Sequence, residues 1–438
     1  MPKTETVTPE TPAMDMLKAF KRDPEHISAP KIHYTELDEH TQTALSEENQ
    51  RMRLFWEAEP GSLDEEQLAR RAAIGYFILT GAQLQRTSGV EQEIASSRFT
   101  QASLELYGEP DKEEVSKIAA TELKYFSGLA GKQGVDQERL QGVIDFYKEQ
   151  LGNANPEVLA DDSESKMAME IFKSLIEERY KDVLAVLDEV SEREGDIHPE
   201  EGKELTEKIL DKLAETDPKW KEWSVVLTKD ATWSEDRRNK TIGVGRKAKS
   251  PRFLKSTVAH EVFVHAQRSV NGGKIDKRFE LGLPGFLDSE EGLAVFIANS
   301  IRGVGSDRAK DFYMDTAAAA GLLGQPQISR PEMQKIYLDR MIVRTQAAGN
   351  EPDFSALEEK AWGYVNRIYR GSVGNEVVGV NTKDISYYHG LVKMTSYIKQ
   401  KLSEGVDAEK LLDYLMSAPF DPTNPRHVEH MAKHGITL

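Results

Sequence analysis

Residues 259–268, AHEVFVHAQR, place two imidazoles, His260 and His265, on either side of a carboxylate, Glu261, in an otherwise apolar stretch. Two neutral imidazoles held close together are good ligands for a zinc ion, and a carboxylate beside them can take a proton from water activated by the metal. The commoner two-histidine zinc motif, H-E-x-x-H, sets its histidines four positions apart. Here the pattern is H-E-x-x-x-H, with His265 five positions after His260. On a regular α-helix, positions i and i+4 lie about 40° apart around the axis and positions i and i+5 about 140° apart. An undisturbed helix would point the two rings away from each other. The spacing therefore predicts a widened, π-type turn that absorbs the extra residue and returns both rings to one face; such turns favour functional sites. Without it, His260 and His265 are two satisfied histidines of a buried helix.

A catalytic zinc site takes three protein ligands and keeps one position open for water. The stretch DSEEGLAVFIANSIRG, residues 288–303, offers Glu290 and Glu291 at the start of another helix. The same stretch also reads as a capping box, with Asp288 as N-cap and Glu291 at the third helical position. By residue type alone, either glutamate could be the third ligand.

The elements that must position these groups begin at Trp220. Trp223, Val225 and Leu227 alternate with polar neighbours as in a strand, and Thr241-Ile242-Gly243-Val244 reads as a second strand after the polar stretch 230–239. Ser250 followed by Pro251 opens the helix that carries both histidines, and Asn271-Gly272-Gly273 is expected to stop it. Two strands leading into a metal-binding helix match zinc-peptidase architecture, where an exposed strand edge can hold substrate in extended form. A hairpin packed on a helix is the plainer alternative.

The rest of the chain is helical in pattern. Amphipathic spacing recurs over 63–85, 98–107, 113–129, 137–151 and 167–190, and again over 307–323, 331–348, 354–369, 384–402 and 408–417. A second histidine group, His427, His430 and His434, reads as one face of a solvated C-terminal helix. The opening residues 1–30 lack an apolar core of the kind a signal peptide needs and read as a disordered tail. No run approaches the ~18 apolar residues of a membrane span. The chain has no cysteine, which removes disulfides and thiolate metal sites, and it reads as cytoplasmic. A net charge of −17 argues against nucleic acid as a partner.

HEVFVH followed by EEGLA resembles the QEGLA-motif family of metallopeptidases, which includes the microtubule-associated tyrosine carboxypeptidases that trim tubulin. FTQASLELYGEP at 99–110, YRG at 369–371 and TKDISYYHG at 382–390 fit the same family, so the resemblance covers most of the chain from about residue 40 in separated blocks. It implies that His260, His265 and Glu291 hold one zinc ion and that Glu261 is the catalytic base. The departure is Glu290, where the family motif has Gln. In the matching C-terminal blocks, the Tyr387 hydroxyl is a candidate to stabilise a tetrahedral oxyanion, as is His389. Arg370, Lys383 and Tyr388 are candidates to hold the substrate and its carboxylate. The implied activity is release of a C-terminal aromatic residue, Tyr or Phe, from a peptide or protein.

The expected fold is α+β and mostly helical, with a disordered tail at 1–30, a helical region at 31–215 and a zincin-like catalytic region at 216–438. That last region is expected to hold a small antiparallel sheet and the H-E-x-x-x-H helix. The rival readings are a zinc endopeptidase and a non-catalytic zinc-binding regulatory or scaffold protein. In the last case a fourth protein ligand would close the site, and cysteine is not available for it.

Overall fold

The apolar periodicity from Leu63 onward forms helices in the computed structural model, which describes residues 63–152, 154, 163–191, 193–229, 232–303, 307–372 and 379–438. The expected tail at 1–30 lies outside the described residues. The described chain forms two compact units, each drawn from separated stretches. One takes in the described part of Met1–Ala160 with Arg308–Ile385; the other takes in Asp161–Asp307 with Ser386–Leu438. The sequence boundary at 215/216 falls inside the second unit. No helix of the described residues is long and apolar enough to cross a membrane.

In the first unit, helices Leu63–Arg86, Val90–Tyr107, Lys112–Ser127 and Gln137–Leu151 join Arg330–Ala347 and Phe354–Ile368. Several start on an aspartate whose carboxylate accepts otherwise orphaned amides: Asp111 from Glu114 N–H, Asp136 from Glu138 and Arg139, Asp353 from Ala356. The interior is aromatic, with Phe77 stacked on Phe99 at 4.8 Å and Tyr337 on Tyr364 at 3.6 Å. It also buries Arg340, which is paired with Asp315; Asp315 in turn accepts a hydrogen bond from the Tyr364 hydroxyl at 2.7 Å. Such charges are tolerable in an interior because they are paired and hydrogen-bonded.

The second unit begins with α1 (Ser163–Arg179), α2 (Lys181–Ser191) and α3 (Pro199–Thr216). A single helix over 167–190 was expected. The chain instead breaks at Tyr180, whose ring stacks on Phe263 at 4.1 Å. Three strands follow, β1 (Ser224–Leu227), β2 (Ser234–Asp236) and β3 (Thr241–Val244), in the order β1-β3-β2. The sheet is mixed, not antiparallel as expected: β1 runs parallel to β3 with Val225 opposite Ile242, and β2 runs antiparallel to β3 with Glu235 opposite Ile242. The hairpin between β2 and β3 closes on Asp236, which accepts the Arg238 and Asn239 amides at 3.1 Å each, with Lys240 at φ 50°. Ile242 and Val244 of the central strand are fully buried.

One long helical rod then crosses the core as α4 (Pro251–Val258), a π segment (Ala259–Ala266) and α5 (Gln267–Ile275). Ser250 and Pro251 open it as expected. The glycines at 272 and 273 do not stop it. They lie inside α5, and a Cβ on Gly272 would meet the Phe279 carbonyl oxygen at 2.2 Å, so Gly272 admits the backbone of α6 (Lys277–Leu281). Val258, Val262, Phe263 and Val264 are fully buried; each such side chain contributes about 1.5–3 kcal/mol relative to exposure. Against this rod pack α7 (Leu287–Arg302) and, from the C-terminal stretch, α8 (Ile385–Ser403), α9 (Ala408–Leu415) and α10 (Pro425–Lys433). His427 of α10 is buried, not solvated as expected, and its Nδ1 accepts the Asp421 amide at 2.9 Å. Burial pushes its imidazole down to about 4, so it is neutral in the core.

The α7–α8 crossing explains two glycines of the family-like blocks. A Cβ on Gly292 would meet the Gly390 backbone carbonyl at 2.1 Å, and a Cβ on Gly390 would meet the Asp288 carbonyl oxygen at 1.9 Å. Backbone cannot swing aside as a side chain can. Gly292→Ala should therefore force the helices apart and lower stability by about 1–3 kcal/mol, the usual cost of overpacking. Thermal unfolding measures it directly; an unchanged midpoint would mean that the crossing is looser than this.

Candidate metal centre

The π segment is defined by its hydrogen bonding: the Gln267 amide reaches back five residues to the Val262 carbonyl. Wider turns bring residues five apart to one face, and the His260 and His265 ring centroids lie 4.7 Å apart, edge to face. The turn predicted from the histidine spacing is present.

Both rings face the first turns of α7. Glu291 Oε2 lies 3.5 Å from His260 Nε2 and 3.6 Å from His265 Nε2, and the ligand atoms of these three residues all lie within 4.8 Å of one another. These separations are too long for good hydrogen bonds. The glutamate–histidine separations suit three ligand atoms turned toward one small cation. Glu291 Oε2 is buried and has no hydrogen-bond partner, a costly state for a carboxylate oxygen unless a cation serves it. Burial opposes ionisation of Glu291, but the two imidazoles outweigh it and hold the carboxyl well below its ordinary range. His260, His265 and Glu291 could thus hold one metal ion.

The neighbouring glutamate faces elsewhere. Glu290 Oε1 lies 3.0 Å from His265 Nδ1 and 3.1 Å from Arg237 Nη2, while Oε2 is paired with Arg268 Nη1. Burial alone would raise the Glu290 carboxyl; Arg268, Arg237 and His265 bring it down to about 2. Burial likewise lowers the His265 imidazole, but Glu290 and Glu291 more than reverse this and hold it well above its ordinary value. Arg237 also binds Glu235 of β2 at 3.1 and 3.2 Å. Glu235 and Glu290 thus pair with Arg237 and Arg268, while Glu261 and Glu291 lie beside the two histidines.

Glu261 is half-buried beside the histidines. Burial raises its carboxyl, and the nearby Glu291 and Glu235 charges add to this against the pull of His260 and His265. Among the described residues no hydrogen bond or ion pair holds it, so its lone pairs are open to a water. The Asp288 capping box does not form. The N-cap of α7 is Phe286, Asp288 lies in the first turn, and its carboxylate is 3.1 Å from His389 Nδ1.

The candidates from the C-terminal blocks are divided. Tyr387, at the start of α8, lies with its ring 6.5 Å from that of His260. Tyr388 points into packed interior at 5% exposure. Arg370 and Lys383 belong to the first unit. There Asp384 is gripped by Arg367 at 2.7 and 2.9 Å and by Arg370 at 3.1 and 3.4 Å. Burial opposes ionisation of Asp384, but Arg367 and Arg370, with Lys383 nearby, bring its carboxyl down to about 2. Sequence reasoning missed Arg237, Arg268 and Glu235. The signal available was Arg268, a charge three positions after His265 in an apolar helix.

The fold and the site define a mostly helical α+β protein with a small mixed sheet and a two-histidine, one-carboxylate group on a π-widened helix. Residues 352–435 match the family described as microtubule-associated tyrosine carboxypeptidase (MATCAP), consistent with the resemblance seen in the sequence. The matched stretch includes YRG and TKDISYYHG; the histidine helix precedes it and lies outside the match. No curated protein and no solved structure matches the chain.

Proposed function

We propose that this chain is a zinc-dependent metallopeptidase with a zincin-like catalytic region, acting as a carboxypeptidase that releases a C-terminal Tyr or Phe from peptides or proteins in the cytoplasm. The observation that carries the metal half of the proposal is the convergence of His260 Nε2, His265 Nε2 and Glu291 Oε2 around an otherwise unserved buried carboxylate oxygen. The match at 352–435 supports the carboxypeptidase half. Three ligands, and not four, make up the group among the described residues, as in catalytic rather than structural zinc sites.

A zinc ion held there would polarise the scissile carbonyl and make a water acidic enough to react near neutral pH. Glu261 accepts the proton of that water as its oxygen attacks the carbonyl carbon, then delivers the proton to the amine as the C–N bond breaks. The Tyr387 hydroxyl, on the His260 side of the group, donates to the oxygen that gains charge in the tetrahedral state. The raised Glu261 carboxyl suits proton uptake, since a base works best with a pKa near the operating pH.

The test is metal analysis joined to a cleavage assay on peptides ending in Tyr. The wild type should carry one zinc per chain and release the terminal residue. Glu291→Gln removes a charged ligand and should bring zinc content to near zero with cleavage lost. Full zinc in that variant would refute Glu291 as the third ligand.

A further inference from the structure

We infer that Glu290 is a positioning residue for His265: its carboxylate accepts the Nδ1–H of the imidazole and so directs the Nε2 lone pair toward Glu291 and the metal. This rests on the metal reading above and extends it to a residue at which the chain departs from the QEGLA motif. A neutral imidazole has one N–H and one lone pair, and the partner of one nitrogen decides which is which. Glu290 has no proton to offer. Its Oε2 is paired with Arg268 and its Oε1 with Arg237, so toward His265 Nδ1 it can only accept. A histidine ligand whose second nitrogen donates to a carboxylate has a fixed ring plane and a more basic metal-binding nitrogen.

The carboxylate is itself held from behind. Arg268 donates from Nε to the Ala418 carbonyl and from Nη2 to the Phe420 carbonyl, each at 2.9 Å, which fixes the guanidinium that grips Glu290. Ser289 Oγ donates to the same Phe420 carbonyl at 3.1 Å. The chain from Ala418 to Phe420 is thereby tied to the metal group through Arg268, Glu290 and His265. A glutamine at 290 keeps the shape but not the chemistry. Its single oxygen can serve His265 and Arg237, and its NH2 then faces the N–H donors of Arg268. If it is flipped to suit Arg268, the NH2 faces His265 Nδ1 and favours the opposite tautomer.

The experiment is competition of the full-length chain against a zinc chelator, comparing wild type, Glu290→Gln and Glu291→Gln, with circular dichroism as the control for folding. Glu290→Gln should remain folded and bind zinc about 10- to 100-fold more weakly, the usual effect of losing such a partner. Glu291→Gln should lose far more. Wild-type affinity in Glu290→Gln, with binding lost in Glu291→Gln, overturns this inference and leaves the metal reading intact. Failure of the wild type to compete for zinc at all overturns the metal reading, and this inference with it. A second measurement covers the case in which Glu290→Gln does not fold. In the zinc-loaded wild type, the 15N-labelled His265 ring should show a slowly exchanging, downfield Nδ1 proton. A rapidly exchanging Nδ1 proton, or zinc bound through Nδ1, overturns the inference without any variant.

Discussion

Glu261→Gln is expected to remove turnover while the protein keeps its zinc. The substituted side chain has the same shape and still accepts a hydrogen bond from water, but its amide cannot take up a proton. General-base catalysis contributes about 10²–10⁴-fold in typical enzymes, so kcat on a peptide ending in Tyr should fall by at least about 10²-fold. The metal should stay because its ligand atoms are those of His260, His265 and Glu291, and Glu261 is not among them. Folding should survive too, since no hydrogen bond or ion pair of the described residues depends on the Glu261 carboxylate. Removing a half-buried charge that lies near those of Glu291 and Glu235 also relieves repulsion in the metal-free protein. The two readouts, zinc content and kcat, separate the roles. More than a tenth of wild-type kcat with full zinc would mean that another group takes the proton, whereas loss of zinc together with kcat would make Glu261 a ligand.

The part of this site legible in the sequence was the part set by local geometry. Five-residue spacing of two histidines cannot serve one ion on a regular helix, so the π turn at Ala259–Ala266 followed from arithmetic. The choice between Glu290 and Glu291 did not. Adjacent helical residues point about 100° apart, and which of them faces the histidines depends on how α7 is rotated against the rod. That rotation is fixed by the Gly292–Gly390 contact and by Arg237 and Arg268, all distant in sequence from one another. The sheet shows the same limit. β1 and β3 have apolar alternation and were legible; β2, Ser-Glu-Asp, has none and forms because Asp236 caps the turn into β3. Parallel pairing of β1 with β3 left no mark, because the alternation of a strand does not encode the direction of its neighbour. The glycines after α5's first turn were misread for a related reason: glycine marks either a helix end or a close backbone approach, and only the position of Phe279 tells which.

Peptides ending in a free Tyr or Phe carboxylate are expected to be cleaved about 10²-fold faster, or more, than the same peptides ending in an amide. A carboxypeptidase must recognise the chain end, and what distinguishes that end from an internal residue is its negative charge. Recognition therefore requires a cation, and a desolvated cation left without its partner costs several kcal/mol, where each 1.36 kcal/mol is tenfold in rate. An endopeptidase has no use for such a cation, because its substrate continues past the cleaved bond. The sequence candidates are Arg370 and Lys383. In the first unit Arg370 binds the Asp384 carboxylate, on which Arg367 and Lys383 also act. Replacing Arg370 with Gln should then narrow the preference for acid over amide, chiefly by slowing the acid, while the amide rate stays near its wild-type value. Equal rates on acid and amide in the wild type, or cuts confined to the interior of long peptides, would rule out the exopeptidase reading and leave a zinc endopeptidase. An Arg370→Gln variant with its preference for the acid undiminished would move the carboxylate-binding role from Arg370 to another cation, with Lys383 the next to test.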